Sequence, residues 1–205
     1  MPGTVKDSVA KLAAKRKRQE NGDSSKKRRK SGGGGEADQQ PNIEKLEAEI
    51  LESRKHYNNI ATLISLANEK PGDKNITIPA VEALCRVFIR LLALGNLVNK
   101  RDASEKDATV TTWLRERLSE YQTTLLSMMY DEVLAAKAMM LSMALVKAVA
   151  QHLQDKEGPA FPRSYFVDIL EAVLQSPVER LRAEFVAEFL GKYDDIRFYT
   201  FQGIK

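Results

Sequence analysis

The sequence predicts an all-α fold, a HEAT-like array of antiparallel helix pairs carried behind a disordered basic N-terminal arm. Three observations predict it. Apolar residues recur at helical spacing from Pro41 onward, and no convincing period-two alternation precedes the last ten residues. Residues 1–40 have almost no bulky apolar side chains and close on Ser31 and the four glycines Gly32–Gly35, so burial cannot offset the entropy of ordering them. Charge divides at the same boundary. Residues 1–40 hold eleven Lys/Arg against five Asp/Glu, or +6, and the other 165 residues hold 21 against 23, or −2, within a chain total of +4. The expected organisation is therefore an arm and linker over 1–40 and one helical domain over 41–205, a length that supports a single core.

The elements follow in order. A first helix from about Asn42 to Asn68 places Ile43, Leu46, Ile50, Tyr57, Ile60, Ile64 and Ala67 on one seam, with Ser53 in the eighth heptad position. The polar member and the short run favour packing on a neighbouring helix over a coiled coil. Pro71-Gly72-Asp73 ends that unit, and Pro79 suits the first position of a second helix, where its missing N–H costs nothing. That helix runs to about Leu94, with Val81, Leu84, Cys85, Phe88, Leu91 and Leu92 inward, Glu82, Arg86 and Arg90 along the other side, and Gly95 as its stop. Ser104 and Asp107 form a capping pair for a third helix, whose inward residues are Val110, Trp113, Leu114, Leu118, Tyr121 and Leu125. A fourth, about Asp131 to Leu153, is apolar nearly all round, as a helix contacted from several sides should be. Its Lys137 and Lys147 argue against a membrane span. Ser176-Pro177-Val178-Glu179 reads as N-cap, first-position proline and returning glutamate between two short helices. The first carries Phe166, Ile169, Leu170, Val173 and Leu174 inward, and the second Val178, Leu181, Phe185 and Phe189. Antiparallel pairs of a repeat array fit this succession, a compact bundle being the rival. Ile196, Phe198, Tyr199, Phe201 and Ile204 follow without a polar closing unit, which predicts a hydrophobic end that meets further helices.

Candidate chemistry is sparse. His56 and His152 stand far apart, the first a surface or seam residue and the second at a helix C-terminus, where the dipole favours a cation. Cys85 reads as a small buried hydrophobe, and one cysteine forms no internal disulfide. Asp194-Asp195 lacks a third ligand and reads as a helix cap. Met128, Met129, Met139, Met140 and Met143 read as core filling, and Arg86 as the partner of Glu82. With no secretory signal, Asn75-Ile76-Thr77 is a chance glycosylation match. No enzyme chemistry, metal or cofactor is expected.

The arm is the candidate site. Its clusters Lys15, Arg16, Lys17, Arg18 and Lys26, Lys27, Arg28, Arg29, Lys30 set Lys15-Arg16 ten residues before Lys27-Arg28-Arg29-Lys30, the form of a two-part nuclear localisation signal read by an import receptor. The same side chains suit RNA phosphates through counterion release, and the arm holds no aromatic residue on which a base would stack.

Four segments carry a resemblance. Ala83-Leu-Cys-Arg-Val-Phe-Ile-Arg-Leu-Leu92 with Gly95, Trp113-Leu-Arg-Glu-Arg117 leading to Tyr121, Phe161-Pro162 with Phe166, and Tyr193-Asp-Asp-Ile-Arg-Phe-Tyr-Thr-Phe201 occur in an order over Ile43–Phe201 that resembles the N-terminal half of the nucleolar complex protein four family, in the CCAAT-binding-factor-like group of ribosome-assembly proteins. The resemblance implies a non-enzymatic helical-repeat scaffold of the small-subunit processome, needed for small-subunit rRNA maturation. It also implies residence in the nucleus and nucleolus and a complex with nucleolar protein fourteen beside other processome proteins; pre-rRNA is a further candidate partner, through the phosphate-binding residues of the arm. No individual contact residue is implied, because the matching positions are core. The group's C-terminal domain finds no counterpart in these residues. The rival readings are a nuclear transport or chromatin adaptor, and an RNA-binding module that acts through the arm.

Overall fold

A computed structural model describes residues 42–69, 73–98, 104–155, 158–159 and 161–203, so the basic arm and its clusters lie outside the described residues. The regular structure of the described residues is helical apart from one short bridge, and it includes a π-helical segment, Val186–Leu190, between the last two α-helices. The helices are α1 (Ile43–Glu52), α2 (Asn58–Glu69), α3 (Lys74–Ala93), α4 (Glu105–Met128), α5 (Ala135–His152), α6 (Arg163–Gln175), α7 (Glu179–Phe185) and α8 (Asp194–Gly203). The bridge is antiparallel and pairs Gln154 with Pro159 and Asp155 with Gly158.

Successive long helices reverse direction. Tyr121 of α4 reaches Val81 of α3 while Arg115 reaches Leu97 just beyond α3, so these two helices run oppositely. Glu82 and Cys85 of α3 meet Lys137 and Leu141 of α5 in rising order, so α3 and α5 run together. Arg54 with Asp107 and Asn68 with Thr124 give α2 and α4 a common direction in the same way. Helix α5 packs against α3, α4, α6 and α7, and it buries Ala135, Ala138, Met139, Ser142, Met143, Leu145, Val146, Ala148 and Val149. That is the central helix its composition predicts.

Each helix end has a local cause. Asn42 caps α1 by accepting from Lys45 N at 2.9 Å. Ser104 Oγ accepts from Asp107 N at 3.2 Å and donates to Asp107 Oδ2 at 2.8 Å, so the two residues form the capping pair expected there. Gly95, at φ +71°, ends α3 in a Schellman motif, with Gly95 N donating to Leu92 O at 2.9 Å and Asn96 N to Leu91 O at 3.0 Å.

Five expectations need correction. The predicted first helix is two, because Ser53 is extended (φ −151°, ψ 140°) and opens a 3₁₀ turn over Arg54–His56. The polar place in the seam is where the helix breaks, since a serine there gains a cap, its Oγ accepting from Lys55 N, and forfeits little packing. Pro79 lies inside α3, which begins five residues earlier, where Asp73 accepts from Asn75 N at 3.1 Å and the added turn buries Ile76 and Thr77. Ser176 is not a first-turn cap: α7 starts at Glu179 without a side-chain cap, and buried Ser176 accepts from Val178 N and donates to Met129 O at 2.7 Å. Leu174 is on the predicted face but 57% exposed. Arg86 makes a bidentate pair with Glu47 of α1 at 2.7 and 2.6 Å, and Glu82 pairs with Lys137.

Candidate partner-binding surfaces

Helix α8 is built from residues expected only as a hydrophobic end. Asp194 and Asp195 occupy its first turn, where carboxylates suit the dipole, Asp195 Oδ1 accepting from Ile196 N at 2.8 Å. Ile196 and Thr200 point inward, and Tyr199 stacks on Phe161 with centroids 3.7 Å apart. Phe161 in turn meets Phe166 edge to face. Gly203 rests on α6: a Cβ there would lie 3.1 Å from Leu170 and 3.3 Å from Val167. Val167, Leu170 and Leu174 make one stripe of α6, and Leu174 stands a turn past the place where Gly203 covers it.

The opposite face of α8 is apolar as well. Phe198 and Phe201, three residues apart on one side, are 56% and 66% exposed. Tyr193 and Leu174 are also more than half exposed near this end. A helix with apolar residues on both sides is built to be covered on both, and exposed aromatic groups of this kind mark contact surfaces.

A different surface forms where the 3₁₀ turn, the start of α2 and the first turns of α4 meet. A concavity of about 260 Å³ is lined by Arg54, Lys55, Tyr57, Asn58, Val110 and Trp113 among others. Arg54 is fixed by Asp107 at 2.8 Å, and Asn96 Nδ2 donates to Tyr57 Oη at 3.2 Å. The guanidinium of Arg117 sits 5.4 Å from the indole centroid of Trp113. Periodicity assigned Trp113 and Tyr57 to core faces. Tyr57 is buried, and the half-buried indole packs on the core while also lining this concavity.

The remaining candidates are placed as follows. His56 Nδ1 lies 3.2 Å from Glu49 O in the 3₁₀ turn, and exposed His152 ends α5. Cys85 is buried, 3.9 Å from Leu141 O, and burial pushes its thiol up to about 11. Burial likewise raises the phenols of Tyr121 and Tyr165 above their ordinary value, Tyr121 donating to Val81 O at 2.6 Å. Met129, Met139 and Met143 fill the core and Met128 packs on it, while Met140 is exposed. Among the described residues no three His, Cys, Asp or Glu side chains group to hold a metal, and no helix is long and apolar enough to cross a membrane.

Residues 31–205 match the sequence profile of the family described as nucleolar complex protein 4-like, TPR repeats. A curated relative, an uncharacterized protein of Schizosaccharomyces pombe, is 33% identical over 171 residues, which are 80% of this chain and 34% of the relative. The chain thus spans about a third of that relative's length.

Proposed function

Because the chain belongs to the nucleolar complex protein 4-like family, we propose that it is a non-enzymatic helical scaffold of nucleolar ribosome assembly, acting in the small-subunit processome during small-subunit rRNA maturation. The observation that carries this reading is the family match over an all-helical body; the exposed Phe198 and Phe201 of α8 are the face proposed to take part in the contacts. Antiparallel helix pairs present extended surfaces to other proteins, and they make binding a matter of shape and apolar contact. The proposed protein partner is nucleolar protein fourteen, together with other processome components. Lys15, Arg16, Lys17, Arg18, Lys26, Lys27, Arg28, Arg29 and Lys30 are proposed to deliver the chain to the nucleus through an import receptor, and to touch pre-rRNA phosphates once there.

The test is affinity purification from nuclear extract of the full chain beside its Phe198→Asp/Phe201→Asp variant, with and without ribonuclease. Small-subunit assembly proteins, nucleolar protein fourteen among them, should co-purify with the full chain after ribonuclease and fall away from the variant. Recovery that disappears with the RNA would leave an RNA-tethered tail in place of a scaffold.

A further inference from the structure

The concavity beside Trp113 has a chemistry that neither the family nor the charge count assigns. The body's −2 argues against an RNA site when it is taken as a total, but folding sorts these charges. Two other concavities of the body carry carboxylates, Glu132 and Glu179 in one and Glu120 in the other. The one at Trp113 has none in its lining, and it sets two cations, Arg54 and Lys55, beside two aromatic rings and the Asn58 amide. At about 260 Å³ it is smaller than the roughly 300–1,000 Å³ of pockets that take drug-sized ligands, a size suited to one planar ring.

We propose that this pocket takes one unpaired base of single-stranded RNA, stacked against Trp113 with its phosphate on Lys55 and Arg54. The groups divide the work. Arg117 braces one part of the indole, so the ring is already fixed when a base arrives. Arg54 is held between Asp107 and the phenol of Tyr57, which orients its charge at the rim, while Lys55 is exposed and free to follow the backbone. Asn58, exposed beside them, carries a donor and an acceptor for a base edge. The lining itself holds no carboxylate, but Asp107 pairs with Arg54 at 2.8 Å from beside it, so Lys55 is the main charge that an anionic strand bearing a flat ring would meet there. Sequence-tolerant stacking over a basic rim is the pattern of single-strand binding. The basic arm, which has no aromatic residue, would raise local RNA concentration without filling this pocket.

The chain contains one tryptophan, so Trp113 reports on its own pocket. The experiment titrates the full chain with a uridine dodecamer and with a mixed-sequence dodecamer, following tryptophan fluorescence, with fluorescence anisotropy of labelled RNA as an independent measure of total binding. Saturable quenching is expected for both. Lys55→Glu should weaken the midpoint of that quenching about tenfold, since it reverses a rim charge. A full-length variant with the nine cluster residues of the arm changed to alanine should keep the quenching at saturation. Lys55 is exposed, and an unchanged far-UV helical signal verifies that the variant folds. Anisotropy that saturates while Trp113 fluorescence does not change would overturn the proposal, as would quenching indifferent to Lys55→Glu. An acidic tyrosine-containing peptide that quenches Trp113 and displaces the RNA at lower concentration would assign the pocket to a protein ligand instead. Each outcome is independent of co-purification with assembly proteins, so the pocket and the scaffold reading fail separately.

Discussion

Gly95 holds φ +71° at the end of α3, and nothing lies within 4 Å of the position its Cβ would occupy. A substitution there therefore tests backbone conformation alone. The left-handed region costs an L-residue about 1–2 kcal/mol, and alanine recovers a part through the unfolded chain. Gly95→Ala should lower stability by about 1 kcal/mol, read as a shift of the urea midpoint at constant slope; an unshifted midpoint would mean that the Schellman turn does not hold α3. This stop was legible in the sequence because glycine alone is at ease there. The partner of Arg86 was not legible, because an i−4 glutamate is visible along one helix and Glu47, 39 residues away, is not. Cys85 makes a second residue-scale prediction. Burial raises its thiol from 9.0 to about 11, so the folded state holds the proton more tightly than the unfolded one. That stabilisation is complete below about pH 9 and is lost as pH rises toward 11. Cys85→Ala removes the titration. The stability difference between wild type and variant, which favours wild type near neutrality, should shrink by roughly 2 kcal/mol between pH 8 and 11 in denaturant titrations. A constant difference would show that the thiol does not feel its burial. The phenols of Tyr121 and Tyr165 are raised mainly by burial and in smaller part by Cys85 itself, so the difference between the two proteins reads the thiol together with its coupling to these phenols.

At the scale of elements, periodicity identified faces well, and it failed where an element is bounded by a balance of costs. The seam of the first predicted helix was real on both sides of Ser53, since Ile50, Tyr57, Ile60, Ile64 and Ala67 are all buried. What spacing could not reveal is that the chain turns between them. Leu174 shows the complementary failure, a residue on the predicted face of α6 that is 57% exposed. Pro79 shows how burial overrides a breaker. Its ring cannot donate to Asn75 O, a defect that costs up to about 3 kcal/mol in a helix interior, yet Ile76, Thr77 and Ala80 around it are buried and the helix continues. Pro79 itself is exposed, so alanine there has room. Pro79→Ala should restore the donor and raise stability by about 1 kcal/mol, after the greater freedom of the unfolded chain is subtracted. It should also increase hydrogen-exchange protection in the first two turns of α3. Unchanged protection with lower stability would place the start of the helix at Pro79, as its first-position preference predicts.

For the whole molecule, the uneven distribution of charge along the sequence was the most legible property, because a composition count needs no contacts. The helical body has its own core and carries −2, and the arm carries +6. On the expectation that the arm stands apart from that core, stability and long-range attraction to polyanions should respond to different substitutions. Each phosphate neutralised on a single strand contributes about −0.7 to the slope of log affinity against log salt concentration. If the nine cluster residues from Lys15 to Lys30 all engage, they supply a slope of about −6, and the rim of Lys55 and Arg54 adds little more than one further unit. Changing those nine residues to alanine should flatten the slope to between −1 and −2 and leave thermal unfolding unmoved, as expected of an arm that takes no part in the core. Anisotropy titrations of a labelled single-stranded RNA between 50 and 200 mM salt measure the slope, and a melt followed by circular dichroism measures stability. A slope that stayed steep in the variant would transfer the attraction to the body, where only a patch assembled by folding could hold it, and the pocket of Trp113 would then be too small a part of that patch to account for it.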